Sequence, residues 1–280
     1  RKAPARETAP GQPRPRPLRS GRVNAPRSDA RGFGRLPLAP VRPRLALQRF
    51  PIDNERMTAE TITYAIGDIH GCADLLDRLL ERIEAHAGTR AKKLVFLGDY
   101  IDRGPDSARV IETLRRLQWR EPEDVVCLMG NHEEMLLKSL REPGALDHWV
   151  YNGGAETLTS FGVSGPEELP GEMLDWIEAL PTLHEDAQRW YVHAGFRPEG
   201  EVPDPDPHNR LWIREPFLSE DYDFGRHVVH GHTPQTRGGP DCRRFRTNLD
   251  TGAVFGNALT AGVFTQAQGP ALEFLRVSAG

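Results

Sequence analysis

Five short segments of the sequence combine glycine with Asp, Asn or His, the residue types that bind divalent metal ions. They are 67–71 (GDIHG), 98–104 (GDYIDRG), 130–133 (GNHE), 193–195 (HAG) and 230–233 (HGHT). Their donors are oxygen and nitrogen without a thiolate, which suits Mn²⁺, Fe or Zn²⁺ better than Ca²⁺. Because these donors are too many for one catalytic ion with an open position, the sequence predicts two ions that share a carboxylate.

The spacing of the first three segments predicts that they follow neighbouring strands. Strands are predicted at 61–66, 93–97 and 124–129, with helices at 73–85, at 105–117 and after 133. Asp99 lies 31 residues after Asp68 and 32 before Asn131, about the length of one βαβ unit. The three strand ends should therefore meet at one edge of a parallel sheet, where open α/β sheets place their sites. Asp99 follows the middle strand and is the expected shared ligand.

The rest of the chain predicts a second layer and a helical region. Strands are expected at 189–192, 227–230, 246–249, 258–264 and 272–277. Short strands in quick succession predict a second, mixed sheet packed on the first. Residues 142–188 are less regular, with helices expected at 155–161 and 172–180, and we interpret them as a helical cap beside the sheet.

The first 56 residues differ from the rest in charge and composition. They hold 14 Lys and Arg but 4 Asp and Glu, whereas the remainder holds 22 and 36. This Arg- and Pro-rich segment lacks apolar periodicity and is expected to be disordered. A basic tail for anionic partners and a targeting peptide are alternatives. Because the first Met is Met57, directly before the first strand, we favour a mis-set start or translated upstream sequence.

The composition also limits the partners and the compartment. An acidic body argues against nucleic acid as a partner, because phosphate binding needs a cationic face. No apolar run reaches the roughly 18 residues that span a membrane, so no membrane partner is expected. Cys72, Cys127 and Cys242 show no CxxC spacing and are expected to be thiols rather than ligands or bridges. A reducing, cytoplasmic compartment is therefore expected.

The residues around the predicted ligands suit attack on a phosphate ester. Two metal ions lower the pKa of a shared water, which supplies hydroxide near neutral pH, and they hold phosphate oxygens for in-line attack. His132, beside Asn131, can protonate the departing alkoxide, and Asp102 can pair with it. Arg103 and Arg214 can clamp the non-bridging oxygens. Trp149 is expected to pack in the core, and Glu133 to favour the start of the third helix.

In that order, the five segments resemble the signature motifs of the phosphoprotein phosphatase family. LWIRE at 211–215 and NLDTGAVFG at 248–256 are most similar to its bacterial and bacteriophage lambda type. The resemblance covers about residues 62–265. It implies an α/β fold, the calcineurin-like metallophosphoesterase αββα sandwich of two mixed sheets flanked by helices. Residues 58–280 would be the catalytic domain, preceded by a disordered segment at 1–57.

The resemblance also implies a role for each matched residue. Asp68, His70 and Asp99 would hold one metal ion, and Asp99, Asn131, His193 and His232 the other. The family's last metal histidine lies in a short segment that varies among members, and we place it at His232 in preference to His230. His132 would be the general acid paired with Asp102, and Arg103, Arg214 and Asn131 would bind phosphate. Mn²⁺ is the preferred metal, with Fe and Zn²⁺ as alternatives.

The sequence therefore predicts a metal-dependent phosphomonoester hydrolase, with phosphoserine and phosphothreonine in proteins as preferred substrates and small phosphomonoesters as others. A dinucleoside polyphosphate hydrolase, such as one acting on diadenosine tetraphosphate, is the first alternative, and the cap at 142–188 would decide the substrate's shape. A catalytically silent binding module is the second, although the intact set of ligands argues against it. A nuclease or other phosphodiesterase is the third, disfavoured by the acidic body and by the Asp102–Arg103 pair.

Overall fold

The computed structural model describes residues 61–235 and 237–279. The predicted disordered segment at 1–57 lies outside these residues, so the domain boundary at 58 stays a prediction. The strands are β1 (Ile62–Ile66), β2 (Lys92–Phe96), β3 (Val125–Cys127), β4 (Leu183–Glu185), β5 (Arg189–Val192), β6 (His227–His230), β7 (Asp241–Cys242), β8 (Arg246–Asn248), β9 (Leu259–Phe264) and β10 (Glu273–Val277). The α-helices are α1 (Ala73–Ala87), α2 (Ser107–Arg120), α3 (Asn131–Ser139), α4 (Ala145–Trp149), α5 (Ala155–Phe161), α6 (Gly171–Glu178) and α7 (Pro207–Trp212).

The first sheet has the order β10-β9-β1-β2-β3, and its last three strands are parallel. Ile66 pairs with Phe96, and Phe96 pairs with Cys127, so the three strands end in register. This confirms that the segments after β1, β2 and β3 leave the same edge of one sheet. The strands β9 and β10 extend this sheet antiparallel to β1. The succession of short strands had suggested that β9 and β10 belong to the second sheet. That prediction was wrong, because both strands belong to the first.

The second sheet has the order β4-β5-β6-β8-β7, with β5, β6 and β8 parallel. A cluster of buried side chains joins its face to that of the first sheet. The cluster includes Ala65, Val95, Leu97 and Leu128 from the first sheet and its loops, and Tyr191, Val229 and Leu249 from the second. The predicted sandwich of two mixed sheets flanked by helices is thus confirmed.

Burial on both faces of β1 explains its β-branched and aromatic sequence. Tyr64 and Ile66 pack in the same cluster as Leu76 and Leu79 of α1, whereas Ala65 faces the second sheet. Each such large apolar side chain contributes about 1.5–3 kcal/mol when it is fully buried. The strand and helix are therefore held by alternating side chains that the sequence pattern already shows.

The helix α2 begins at Ser107 and not at Pro105. The side chain of Asp106 accepts a hydrogen bond from the backbone N–H of Arg109 at 3.2 Å. Aspartate is favoured at the position directly before a helix, because its side chain accepts hydrogen bonds from the free backbone N–H groups of the first turn. The cap at Asp106 therefore sets the start of α2, and Pro105 lies outside the helix. The predicted start of this helix at residue 105 was therefore wrong by two residues.

The predicted cap region, 142–188, contains α4, α5 and α6. A π-helical turn (Val150–Gly154) joins α4 to α5, and Gly153 within it has φ 111°. The helix predicted at 155–161 is confirmed, and that at 172–180 is observed as α6. The strand β4, which pairs antiparallel with β5, was not predicted. Across 61–235 and 237–279, none of the helices combines the length and the apolar character needed to cross a membrane.

Candidate metal centre

The side chains that follow β1, β2 and β5 meet at Asp99. Its Oδ2 lies 3.4 Å from His70 Nε2, and its Oδ1 lies 3.4 Å from His193 Nε2. All three residues are buried. Asp99 thus presents one oxygen to each of two histidines, which is the arrangement that a shared ligand requires.

Two groups of donor atoms share Asp99. The first comprises His70, Asp99 and His132, the second Asp99, His193 and His232, and within each group the donors lie within 4.8 Å of one another. Asn131 Oδ1 is 2.9 Å from His193 Nε2 and 2.8 Å from His232 Nδ1. The structure therefore brings together all four residues of the second predicted ligand set.

Asp68 approaches this centre from β1 but is outside both groups. Its carboxylate accepts the backbone N–H of His232, with distances of 3.0 and 3.2 Å to the two oxygens. A Cβ at Gly231 would overlap Asp68 Oδ1, so the close approach requires glycine at that position. Asp68 thus contacts the backbone of the second group while following the same strand as His70.

The structure separates the two candidates for the last histidine. His232 lies in the second group, whereas His230 packs its ring against Phe217, with ring centroids 4.9 Å apart. His230 Nδ1 lies 3.2 Å from the carbonyl oxygen of Gly231, and its Nε2 has no hydrogen-bond partner among the described residues. The preference for His232 therefore agrees with the observed geometry.

Left-handed backbone turns aim several of these side chains. Of the six non-glycine residues with positive φ in the described ranges, five are predicted site residues: His70, Asp99, Asp102, Arg103 and His232, with φ between 46° and 73°. Such a conformation costs an L-residue roughly 1–2 kcal/mol. Strain of this kind concentrates where side-chain placement matters more than backbone stability.

Three histidines of the two groups, His70, His193 and His232, are held as neutral imidazoles. Burial, followed by the charge of His132, lowers the pKa of His70 to about 3. Burial also lowers the pKa values of His193 and His232. A neutral imidazole is the form that binds a metal ion. Nδ1 of His70 donates to the Ile101 carbonyl at 2.9 Å and Nδ1 of His193 to the Leu97 carbonyl at 2.8 Å, which leaves each Nε2 to face Asp99.

Several carboxylates are buried close together in the site, and they cannot all carry a negative charge unless a cation neutralises them. Burial, together with repulsion by Asp250 and Asp99, raises the pKa of Asp68 well above its ordinary value. Burial also raises the pKa of Asp250 to about 7. Divalent cations would relieve this repulsion, and the mixed oxygen and nitrogen donors suit Mn²⁺, Fe or Zn²⁺. The residues present therefore fit a pair of metal ions that share Asp99.

Asp250 is a buried residue of the site that was not predicted, although its sequence context gave a signal. It lies two residues after the end of β8, at the start of an Asp-Thr-Gly segment, and Asp68 likewise lies two residues after the end of β1. Its backbone N–H donates to Asn248 Oδ1 at 2.8 Å, and its Oδ1 accepts the Gly252 N–H at 3.0 Å. These bonds place a third buried carboxyl beside Asp68.

The predicted pair of His132 and Asp102 is in contact. His132 Nδ1 lies 2.7 Å from Asp102 Oδ2, and both residues are buried. Burial alone would lower the pKa of His132, but the charge of Asp99 and the hydrogen bond to Asp102 outweigh it and raise the pKa. His132 Nε2 points toward the centre, 4.0 Å from Asp99 Oδ2. The imidazole can therefore carry a proton at the edge of the metal centre.

The two predicted phosphate-binding arginines lie in different environments. Arg103 Nη1 donates to His70 Nε2 at 2.9 Å, and its guanidinium lies 5.9 Å from the ring centroid of Phe255. Arg214 is exposed, and its charge contributes to the lowered pKa of His232. The Arg103 guanidinium therefore contacts the first donor group, and the charge of Arg214 acts on a histidine of the second.

Glu133 has a larger structural role than the sequence indicated. Its buried carboxylate accepts four backbone N–H groups, from Asp99, Tyr100, Ile101 and Gly130, at 2.8–3.3 Å. The bond from Gly130 confirms the expected role at the start of α3. The other three bonds hold the GDYIDRG loop to α3, and no local sequence pattern reveals them. Burial, followed by the charge of Asp99, raises the pKa of Glu133 to about 7.

Glu133→Gln should destabilise the protein by about 2–3 kcal/mol, because hydrogen bonds to a buried charged acceptor are worth that much and the new amide N–H₂ would face backbone donors. Urea unfolding of the variant measures the change. Glu134→Gln is the matched control, since its amide oxygen can still accept the Trp212 indole N–H that Glu134 Oε2 accepts at 2.6 Å. Equal stability of the two variants would contradict the assigned role.

The sequence of this chain is similar to a family model and to several bacterial proteins of known activity. Residues 63–256 match the family model of the calcineurin-like phosphoesterases. The serine/threonine-protein phosphatase 1 of Salmonella typhimurium is 32% identical over 79% of this chain and 97% of that protein. The asymmetrical bis(5'-nucleosyl)-tetraphosphatase PrpE of Oceanobacillus iheyensis is 28% identical over 76% and 90%. The symmetrical bis(5'-nucleosyl)-tetraphosphatase of Dechloromonas aromatica is 36% identical over 49% of this chain, which spans about half of that relative.

Proposed function

This chain belongs to the calcineurin-like phosphoesterase family, and we propose that it hydrolyses phosphoserine and phosphothreonine in proteins. The observation that carries the proposal is the His132–Asp102 pair at the edge of the metal centre. The alkoxide of serine or threonine is a poor leaving group that needs a proton, and a buried histidine held by a carboxylate can donate one. The leaving group of a dinucleoside polyphosphate is a nucleotide that departs as a stable anion, with less need for such an acid.

The metal-binding roles are part of this proposal. Asp68, His70 and Asp99 would hold one ion, and Asp99, Asn131, His193 and His232 would hold the other. When bound, two divalent ions lower the pKa of water and neutralise the charge of the phosphate. We propose Mn²⁺, with Fe and Zn²⁺ as alternatives that the same donors accept. The free thiols of Cys72, Cys127 and Cys242 support a reducing compartment such as the cytoplasm.

Three side chains are proposed to bind the phosphate oxygens: Arg103, Arg214 and Asn131. Arg103 now donates to His70 Nε2, the atom that His70 would use for a metal ion. Both partners cannot use that nitrogen together, so the guanidinium must turn away when an ion binds. Since Arg103 belongs to the loop that carries Asp99 and Asp102, its short movement would bring two donors to the non-bridging oxygens.

A second candidate substrate is a dinucleoside polyphosphate, and two exposed aromatic residues favour it. Phe255 is 61% exposed and lies beside the Arg103 guanidinium. Tyr151 is 90% exposed and lies two residues before Gly153. The backbone carbonyl of Gly153 accepts the backbone N–H of Arg103. Aromatic rings beside a phosphate-binding arginine can stack on a nucleobase, which contributes about 1–3 kcal/mol per base.

A substrate panel should separate the two candidates. Metal-stripped protein reloaded with Mn²⁺ is assayed on a phosphoserine peptide, p-nitrophenyl phosphate, diadenosine tetraphosphate and a phosphodiester. We expect the highest kcat/KM on the phosphopeptide, and Phe255→Ala should change it little. If diadenosine tetraphosphate is preferred and Phe255→Ala raises its KM roughly 5- to 150-fold, as lost base stacking would, the second candidate is correct. Absence of turnover on every substrate with every divalent ion would favour a silent binding module.

A further inference from the structure

We propose that three residues around the junction of α4 and α5 position Asp102 and Arg103 for catalysis: Trp149 at the end of α4, Gly153 in the π-helical turn and Thr157 in α5. We name these three residues the insert clamp. From the sequence, this region is expected to be a cap that decides the substrate's shape, and Trp149 a packing residue. The inference rests on the proposed function, because it assigns the clamp an effect on the general acid His132.

Two side chains of the insert clamp hold the carboxylate of Asp102. Thr157 Oγ1 donates to Asp102 Oδ1 at 2.7 Å, and Trp149 Nε1 donates to both oxygens, at 3.1 and 2.9 Å. The backbone N–H of Asp102 donates in turn to Thr157 Oγ1 at 2.9 Å. All three residues are fully buried, so water does not compete for these bonds.

These bonds orient the carboxylate toward His132. With donors from Thr157 and Trp149 on one side, Asp102 Oδ2 keeps its remaining lone pair for His132 Nδ1, 2.7 Å away. A carboxylate without these donors can rotate about its Cβ–Cγ bond and release the imidazole from its orientation. The acid would then lose the alignment of Nε2 with the departing oxygen, since the ring turns with Nδ1.

Gly153, the third residue of the insert clamp, holds the backbone of Arg103, the residue after Asp102. The Gly153 carbonyl accepts the backbone N–H of Arg103 at 3.1 Å. A Cβ at Gly153 would lie 2.7 Å from both the backbone nitrogen and the Cγ of Arg103, and the φ of 111° also disfavours any other residue. Asp102 and Arg103 both have left-handed backbones, with φ of 73° and 69°. The clamp therefore supplies partners for the backbone N–H groups of two consecutive residues in a disfavoured conformation.

The irregular helix explains how the clamp can exist. Trp149 and Thr157 are eight residues apart, which is about 12 Å along a regular α-helix. The π-helical turn and the non-helical Gly153 interrupt the axis between α4 and α5. Both side chains can therefore reach the same carboxylate, and we infer that this explains the irregular turn. Interruptions of this type often occur at functional sites.

The test compares leaving groups. In Trp149→Phe and Thr157→Val, kcat for a phosphoserine peptide should fall roughly tenfold or more, as part of the 10²–10⁴ that a general acid contributes. The fall for p-nitrophenyl phosphate should be several-fold smaller, because nitrophenolate departs without a proton. KM should change little for either substrate. Thr157→Ser, which keeps the hydroxyl, should restore most of the activity on the peptide.

Two matched controls separate positioning from folding. Thr159→Val removes an exposed hydroxyl of the same helix that donates to the Ala155 carbonyl. Trp190→Phe removes an indole N–H that donates to the Phe224 carbonyl on the second sheet. Neither should change the ratio of activities on the two substrates, whatever its effect on the unfolding temperature. Bound metal, measured by elemental analysis, should stay unchanged in all five variants.

Equal losses on both substrates in Trp149→Phe and Thr157→Val would overturn the clamp and leave these residues a structural role alone. Because Trp149→Phe keeps an aromatic ring at this position and removes the N–H donor, it keeps the test valid if Thr157→Val folds poorly. A failure of the proposed function has a different signature. In that case His132→Asn would lower kcat on the phosphopeptide and on p-nitrophenyl phosphate by the same factor, or the wild-type enzyme would not hydrolyse the phosphopeptide.

Discussion

Asp99→Asn should lower the hydrolysis of every phosphomonoester by at least 100-fold and reduce the number of bound metal ions below two. Changes next to a ligand typically cost 10- to 100-fold in affinity or activity, and loss of a shared ligand should exceed this. Asp99 presents Oδ1 to His193 and Oδ2 to His70, each at 3.4 Å. An amide has a single oxygen and no negative charge, so it cannot replace both contacts.

The measurement combines elemental analysis of the purified variant with turnover of p-nitrophenyl phosphate in Mn²⁺. Asp124→Asn is the matched control, because Asp124 is an exposed carboxylate directly before β3 that pairs with Lys93 at 3.5 Å. It should retain both ions and full activity. Two bound ions in Asp99→Asn at wild-type affinity would contradict the shared-ligand assignment, whatever the residual rate.

His132→Asn should lower kcat on a phosphoserine peptide by about 10²- to 10⁴-fold, the usual contribution of a general acid. The carboxylates of Asp99 and Asp102 raise the pKa of His132 against the effect of burial. The protonated form is the active one, so kcat of the wild-type enzyme should fall as the pH rises through this pKa, and the variant should lose that limb. Its metal content should stay unchanged, because His132 Nδ1 is bonded to Asp102.

His148→Asn serves as the control for this variant. His148 is exposed on α4, one residue before the buried Trp149, and lies outside both donor groups. It should keep the wild-type pH profile. If His132→Asn loses its metal ions as well as its activity, His132 is a ligand, as its membership of the first donor group would allow, and the acid must be sought elsewhere.

The sequence by itself determined the fold class and the edge of the sheet where the site lies. Strands with apolar side chains and amphipathic helices at a spacing of about 30 residues leave little choice of topology. The ends of β1, β2 and β3 then coincide because parallel strands pair in register. Asp68, Asp99 and Asn131 could be located in this way, since they lie two to four residues beyond the ends of their strands.

Sheet membership needed the tertiary structure. The strand β9 pairs with β1 across about 200 residues of chain, as Thr63 opposite Phe264 shows. An apolar strand can pair equally well at the edge of either sheet, and its side-chain pattern does not indicate to which of the two sheets it belongs. Only the packing of both sheet faces decides the partner.

The supporting residues of the site were also decided by tertiary structure alone. His230 and His232 have the same side chain two positions apart, and the left-handed backbone at His232 sends one into the centre while the other packs on Phe217. Glu133 binds amides some 32–34 residues away, and Thr157 reaches Asp102 across 55. Hydrogen bonds between a side chain and a distant loop require no periodicity or motif. They exist only once the folded chain has brought donor and acceptor together.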